Sequence, residues 1–135
     1  MQRRLCWVFV LAIASFSLST PAVAHHSFAA EFDQNKPLSF TGTVKKVEWM
    51  NPHIYTHVEV KEADGTVVVY RIEGGAPNAL FRQGWRKEDM KPGDIVSVSG
   101  VRAKNSSSMN VGSATITAAD GKRVFGGGAG PAAAR

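Results

Sequence analysis

FTGTVKKVEWMNPH, residues 40–53, is the stretch on which the fold turns. Phe40-Thr41-Gly42-Thr43-Val44 alternates with one parity, Lys45-Lys46 intervenes, and Val47-Glu48-Trp49 alternates with the other. Successive strand side chains point to opposite faces, so a change of parity within one strand calls for a bulge or a sharp bend. Gly42 eases the curvature. Asn51-Pro52 closes the run, because proline cannot donate to a ladder.

Downstream, a second strand is predicted from His53 to about Lys61, and Ala63-Asp64-Gly65 is a hairpin signal. Thr66 to Ile72, rich in β-branched residues, gives a third strand. One short helix follows. Pro77 suits its first position, Ala79, Leu80 and Phe81 supply an apolar side, and Gly84 suits a left-handed stop. Ala76 falls at the N-cap, where alanine is weak. Lys91-Pro92-Gly93-Asp94 turns into a strand over Ile95–Ala103, in which Val96, Val98 and Gly100 share one face. After a polar loop at Asn105–Ser108 comes a last long strand, Met109 to Ala118, then a turn at Asp120-Gly121 and a short extension over Lys122–Phe125.

A bent first strand and a helix between the third and fourth predict a mainly β chain. The best match is a small five-stranded OB-like Greek-key barrel over residues 37–125, a plain meander or half-open roll being the simpler alternative. Residues 25–36 form an amino-terminal arm, and the Gly/Ala segment 126–135 is a low-complexity tail predicted to be disordered. The expected core is Val44, Val47, Ile54, Val58, Val68, Ile72, Leu80, Phe81, Ile95, Val96, Val98 and Ile116.

Upstream, Arg3 and Arg4 precede an apolar run from Cys6 to Leu18, and Ala22-Val23-Ala24 makes an A-x-A end. This is the layout of a secretory signal peptide, residues 1–24, with cleavage after Ala24 and a periplasmic or secreted product. The run is short of the roughly 20 apolar residues a spanning helix needs, so no stable membrane insertion is expected after cleavage. Cys6, the only cysteine, would leave with the leader, and a thiol-free chain suits an oxidising compartment. Losing Arg3 and Arg4 lowers the formal charge of +5 by two. The remaining basic residues are scattered, which makes nucleic acid a poor partner.

The pieces HHSFAAEFD, FTGTVKKVEWMNPH, GAPNALFRQGW and KPGDIVSVSG, in that order, resemble a family of small exported bacterial proteins, domain-of-unknown-function family 6152. The resemblance spans the mature chain up to Phe125. It implies export and a small β-barrel, and it brings no activity. Members of that family often carry Ser before the Pro-Asn of the helix start, where this chain has Ala76.

The four histidines are His25, His26, His53 and His57. Cleavage after Ala24 would make His25 the first residue, whose amino group and imidazole can chelate one metal ion. A second imidazole would complete a planar nitrogen set of the kind that favours Cu(II). His26 is the nearest, although neighbours in an extended chain point apart. His53 is the preferred third ligand and His57 the other candidate. These two lie with Tyr55 and Glu59 on one strand face, their α-carbons ~13 Å apart, too far to share an ion. Strand histidines more commonly sit at the surface or in hydrogen bonds, and copper is the cofactor that such a nitrogen set would take.

Trp49, Tyr55, His57 and Trp85 can line a binding face on such a barrel, or the tryptophans can cap a small core. Gly74-Gly75 before Pro77 reads as a turn needing positive φ, with an anion-binding loop as the other reading. Glu31 and Asp33 read as solvated arm residues or metal oxygen ligands. Nothing assembles a catalytic set, so the chain is not expected to be an enzyme. Two functions remain: an exported periplasmic binding module for an unknown protein partner or small ligand, and a copper-binding or copper-handling protein using His25 with His26 or His53.

Overall fold

The computed structural model describes residues 28–121 and 123–126. The segment read as a signal peptide, His25 and His26, and the tail beyond Gly126 lie outside these residues. Within them the order is α1 (Phe28–Glu31), β1 (Phe32–Glu48), β2 (Tyr55–Lys61), β3 (Val67–Glu73), α2 (Pro77–Arg82), a 3-10 turn (Lys87–Asp89), β4 (Ile95–Ala103), β5 (Asn110–Ala118) and β6 (Arg123–Gly126). The chain is mainly β, as the alternation predicts. Its described residues make six strands rather than five, because the short extension after Gly121 pairs with β5 as β6.

All six strands share one sheet in the order β3-β2-β1-β4-β5-β6, and β3 also meets β5. The pairings are antiparallel except for that last one, a short parallel match of Arg71 with Asn110 and Ile72 with Val111. β1 serves two partners. Its earlier part pairs with β4 from Pro37↔Val101 to Thr43↔Ile95, and its later part pairs with β2 from Thr43↔Glu59 to Glu48↔Tyr55.

The parity switch read at Lys45-Lys46 is a bulge. Register with β2 steps from Val44↔Val58 to Lys46↔His57, leaving Lys45 as the extra residue. Gly42 lies just before it, where β2 passes close. A Cβ there would collide with the Glu59 carbonyl oxygen and approach Val58 Cγ1 to 2.7 Å. Glycine is needed at this position for clearance.

The core holds Val44, Ile54, Val58, Ile72, Leu80, Val96, Val98 and Ile116, with Tyr70, Trp85, Met90 and Val111. Val47 and Val68 pack half-buried against it. Two expected members face out instead, Phe81 at 55% and Ile95 at 57% exposure. Ile95 precedes Val96, and a strand cannot bury both neighbours on one face. On the six-residue helix Leu80 turns inward, and Phe81 instead carries the Arg86 guanidinium on its ring at 3.8 Å. The helix ends as its glycine predicts: Gly84 has φ +92°, its N–H donates to Phe81 O, and Trp85 N–H donates to Leu80 O. Ala76 makes no side-chain cap.

The segment read as an arm is, from Phe28 onward, packed against the sheet. Phe32 is 3% exposed, pairs with Ala103 and stacks on Phe28 with centroids 4.9 Å apart. Both rings lie over Gly112, where a Cβ would meet each at 2.7 Å. Glu31 ties the segment down further, its carbonyl accepting from Lys104 N–H at 2.8 Å and its carboxylate from Asn110 Nδ2 at 2.9 Å.

Candidate functional site

The β2–β3 hairpin sets the register of the face that carries Tyr55, His57 and their charged neighbours. Gly65 takes φ +88° at its tip, and Asp64 Oδ1 accepts the Thr66 N–H at 2.8 Å. That bond holds the Asp64 carboxyl below its ordinary range. Ile54, Thr56, Val58 and Val60 are buried, so His53, Tyr55, His57 and Glu59 face outward, as the alternation predicts. The hairpin sets Tyr55 opposite Glu73 and His57 opposite Arg71. On the other side the β1 bulge sets Glu48 opposite Tyr55 and Lys46 opposite His57.

Two cross-strand rows result, Glu48–Tyr55–Glu73 and Lys46–His57–Arg71. Lys46 Nζ donates to Glu48 Oε1 at 2.6 Å, and the His57 Nε2 position lies 3.1 Å from Glu48 Oε2. The Lys46 hydrogen bond, and after it that from His57, pulls the Glu48 carboxyl down to about 2. Glu59 pairs with Lys45 at 3.0 Å. Arg71 lies over the Tyr55 ring, its guanidinium carbon 3.4 Å from the centroid.

His53 stands at the mouth of the hairpin. Gly74 N–H donates to Ile54 O and Ile54 N–H to Gly75 O, which extends the β2–β3 pairing past its formal ends. Neither Gly74 nor Gly75 has positive φ, contrary to the turn read there. His53 Nδ1 lies 2.9 Å from Gly74 O and 3.2 Å from Glu73 Oε1. Asn51-Pro52, just before it, is a cis peptide.

The residues read from sequence thus fall into separate groups. Tyr55 and His57 share the outer face. Trp49 and Trp85 meet each other with centroids 5.0 Å apart, Trp85 only 7% exposed in the core. His53 and His57 turn to different carboxylates, Glu73 and Glu48. Glu31 binds Asn110, and Asp33 accepts the Asn35 N–H and pairs with Lys36. Among the described residues no three His, Cys, Asp or Glu side chains gather into a metal-binding group. Lys46, Glu48, Arg71 and Glu73 were missed. Their outward parity is visible in the strands, but their company depends on the hairpin register and the bulge.

A concavity of about 390 Å³ lies on the β1–β4–β5 surface and is lined by Ser39, Thr41, Ser97, Ser99 and Thr117 with Phe40 and Val98. Thr41 and Ser97 hydroxyls share a 3.1 Å hydrogen bond across it. It carries no charge.

Among the described residues no helix is long and apolar enough to cross a membrane. No curated protein and no solved structure matches the chain. A family model does, over residues 13–113, and it takes in the bent first strand, both histidine-bearing positions of β2 and its approach, the helix and the β4 turn. The chain belongs to the family of unknown function DUF6152.

Proposed function

We propose that the protein is an exported, periplasmic, small β-barrel binding module, with an OB-like Greek-key closure and its ligand site on the outer face of β2 and β3. The closure is supported by the pairings themselves, which lead from β1 to β2, β3, β5, β4 and back to β1. The helix between β3 and β4 agrees with it. Barrels of this type bind through the strand 2–3 face and the loops flanking it, here Trp49–Ile54 and Lys104–Met109. The observation that carries the reading is the preset Tyr55–Arg71 stack beside His57 on that face.

The ligand is a periplasmic protein or small molecule. Lys45, Lys46 and Arg71 are balanced by Glu48, Glu59 and Glu73, so the face lacks the basic surplus that a nucleic acid needs. No catalytic role is proposed, and after cleavage no stable membrane insertion. The test is a compound screen read by NMR on the secreted protein. Compounds that bind should shift His53, Tyr55, His57 and Arg71 first. Shifts concentrated instead around Ser39, Ser97 and Thr117 would move the site to the β1–β4–β5 concavity and reject this face.

Copper handling by His25, with His26 or His53, is the second reading, and the His53 contacts favour it. A metal-ligating histidine usually gives one ring N–H to a carbonyl or carboxylate, leaving the other nitrogen as donor. His53 has both kinds of acceptor at Nδ1. Intact mass of the secreted form, then copper titration of wild type, His25→Ala and His53→Ala, tests it. A mature start at Ser27 or later removes the chelate, and unchanged affinity in both variants rejects it.

A further inference from the structure

Resting on the binding-face reading, we infer that Arg71 is the anchor of an oxyanion subsite, taking a carboxylate or a phosphate group of the ligand. Lys45 is held by Glu59, Lys46 by Glu48, His57 by Glu48, and His53 by Glu73. Arg71 is the exception. Among the described residues it makes no ion pair and no side-chain hydrogen bond, although Glu48 and Glu73 stand in the adjoining row. Both carboxylates are engaged elsewhere, and among the described residues the guanidinium is positioned by the Tyr55 ring beneath it.

That contact decides what Arg71 can do. Stacking occupies a face of the guanidinium and leaves its in-plane N–H groups free, since donors radiate from the edge of the fork. Half-buried and held 3.4 Å over the ring, the group has already lost much of the rotamer freedom that an exposed arginine gives up on binding. Planar, bidentate recognition of carboxylate or phosphate is what such a fork matches. The site is bounded on one side by His57, directly across the pair, and on the other by Met109, whose carbonyl accepts the Arg71 N–H at 3.0 Å. The backbone bond fixes where the side chain leaves the strand, and the ring fixes where it ends.

The experiment is an NMR titration of isotope-labelled protein with acetylglycine, with inorganic phosphate, and with acetylglycine amide as the uncharged counterpart. Sodium chloride at matched ionic strength is the control. Saturable shifts of the Arg71 side-chain N–H and the Tyr55 ring with acetylglycine, phosphate or both are expected, and which of the two binds identifies the class of oxyanion. The amide and chloride should leave them unmoved. Arg71→Gln should weaken binding roughly tenfold or more, in line with the loss of charge-assisted hydrogen bonds. Tyr55→Leu keeps the charge but frees the guanidinium from its stack, and should weaken binding too, so the test survives if Arg71→Gln folds poorly. No saturable shift with either anion, an equal response to chloride, or wild-type affinity in both variants would overturn the inference. If the anions fail while other compounds still shift Tyr55 and His57, the oxyanion subsite falls and the binding face stands.

Discussion

Gly42 shows at one residue how the sheet bends. Its backbone needs no unusual φ, and what it provides is space for the Glu59 carbonyl and the Val58 and Val60 side chains of β2. Gly42→Ala should therefore cost about 3 kcal/mol by overpacking in a urea titration. Gly65 makes the contrast. It has open space around its missing Cβ but φ +88°, so Gly65→Ala should cost only about 1–2 kcal/mol of backbone strain. Equal costs would mean that clearance at β2 is not what selects Gly42. Glu48 gives a second residue-scale prediction, in pH. Its folded carboxyl titrates at about 2, below the ordinary 4.5, so between these values the unfolded chain binds more protons than the native one. The stabilisation is complete above pH 4.5 and drains away as the pH falls toward 2. Denaturant titrations at pH 6 and pH 3 should show wild type losing more stability than Glu48→Gln over that interval. Parallel losses would place the acid sensitivity elsewhere.

At the scale of elements, what could be read from sequence is what local chemistry decides. The bulge was legible because two consecutive lysines interrupt an alternation whose two halves disagree in parity. Helix α2 was legible because Pro77 and Gly84 bracket it, and Gly84 closes it with both hydrogen bonds of a left-handed stop. Strand β1 begins five residues before the Pro37 start expected of the barrel, since Asp33–Lys36 is polar and only Phe32↔Ala103, a distant pairing, draws it into the sheet. The candidate face was half legible for the same reason. Tyr55 and His57 share a parity any reader can count, whereas Arg71 joins them through a register that Asp64, Gly65 and the turn bonds around them establish. The uncapped start of α2 supplies this scale's prediction. Ala76 already has the extended backbone of an N-cap, φ −65° and ψ 143°, and lacks only an oxygen to accept a free N–H. Ala76→Ser should raise stability by about 1 kcal/mol, seen as a higher denaturation midpoint at unchanged slope. No gain would mean that water already satisfies those donors.

For the molecule as a whole, the question is where the folded unit begins. Periodicity starts it at Pro37 and leaves residues 25–36 as an arm, because Phe28–Phe32 is too short to show a sustained period and Asp33–Lys36 is polar. Packing extends it upstream. Gly100 and Gly112 allow a close approach: a Cβ on Gly100 would meet Gly112 O at 2.8 Å, and one on Gly112 would meet the Phe28 and Phe32 rings at 2.7 Å. The two phenylalanines cover this glycine-rich seam, which has no side chains of its own to do so. Such a complement cannot be seen in either segment alone. It makes Phe32 part of the core despite lying in a polar stretch, and Phe32→Ala should cost about 3–5 kcal/mol, the range for a buried phenylalanine. The loss should be global and also local. Lys104 N–H donates to Glu31 O at 2.8 Å, so its amide should exchange far faster in Phe32→Ala than in wild type, beyond what the lower overall stability explains. Asn110→Ala, which removes only the side-chain bond to Glu31, should cost about 1 kcal/mol and leave Lys104 protected. If Phe32→Ala keeps wild-type stability and Lys104 protection, Phe28–Lys36 is a passive attachment and the folded unit starts at Pro37 after all.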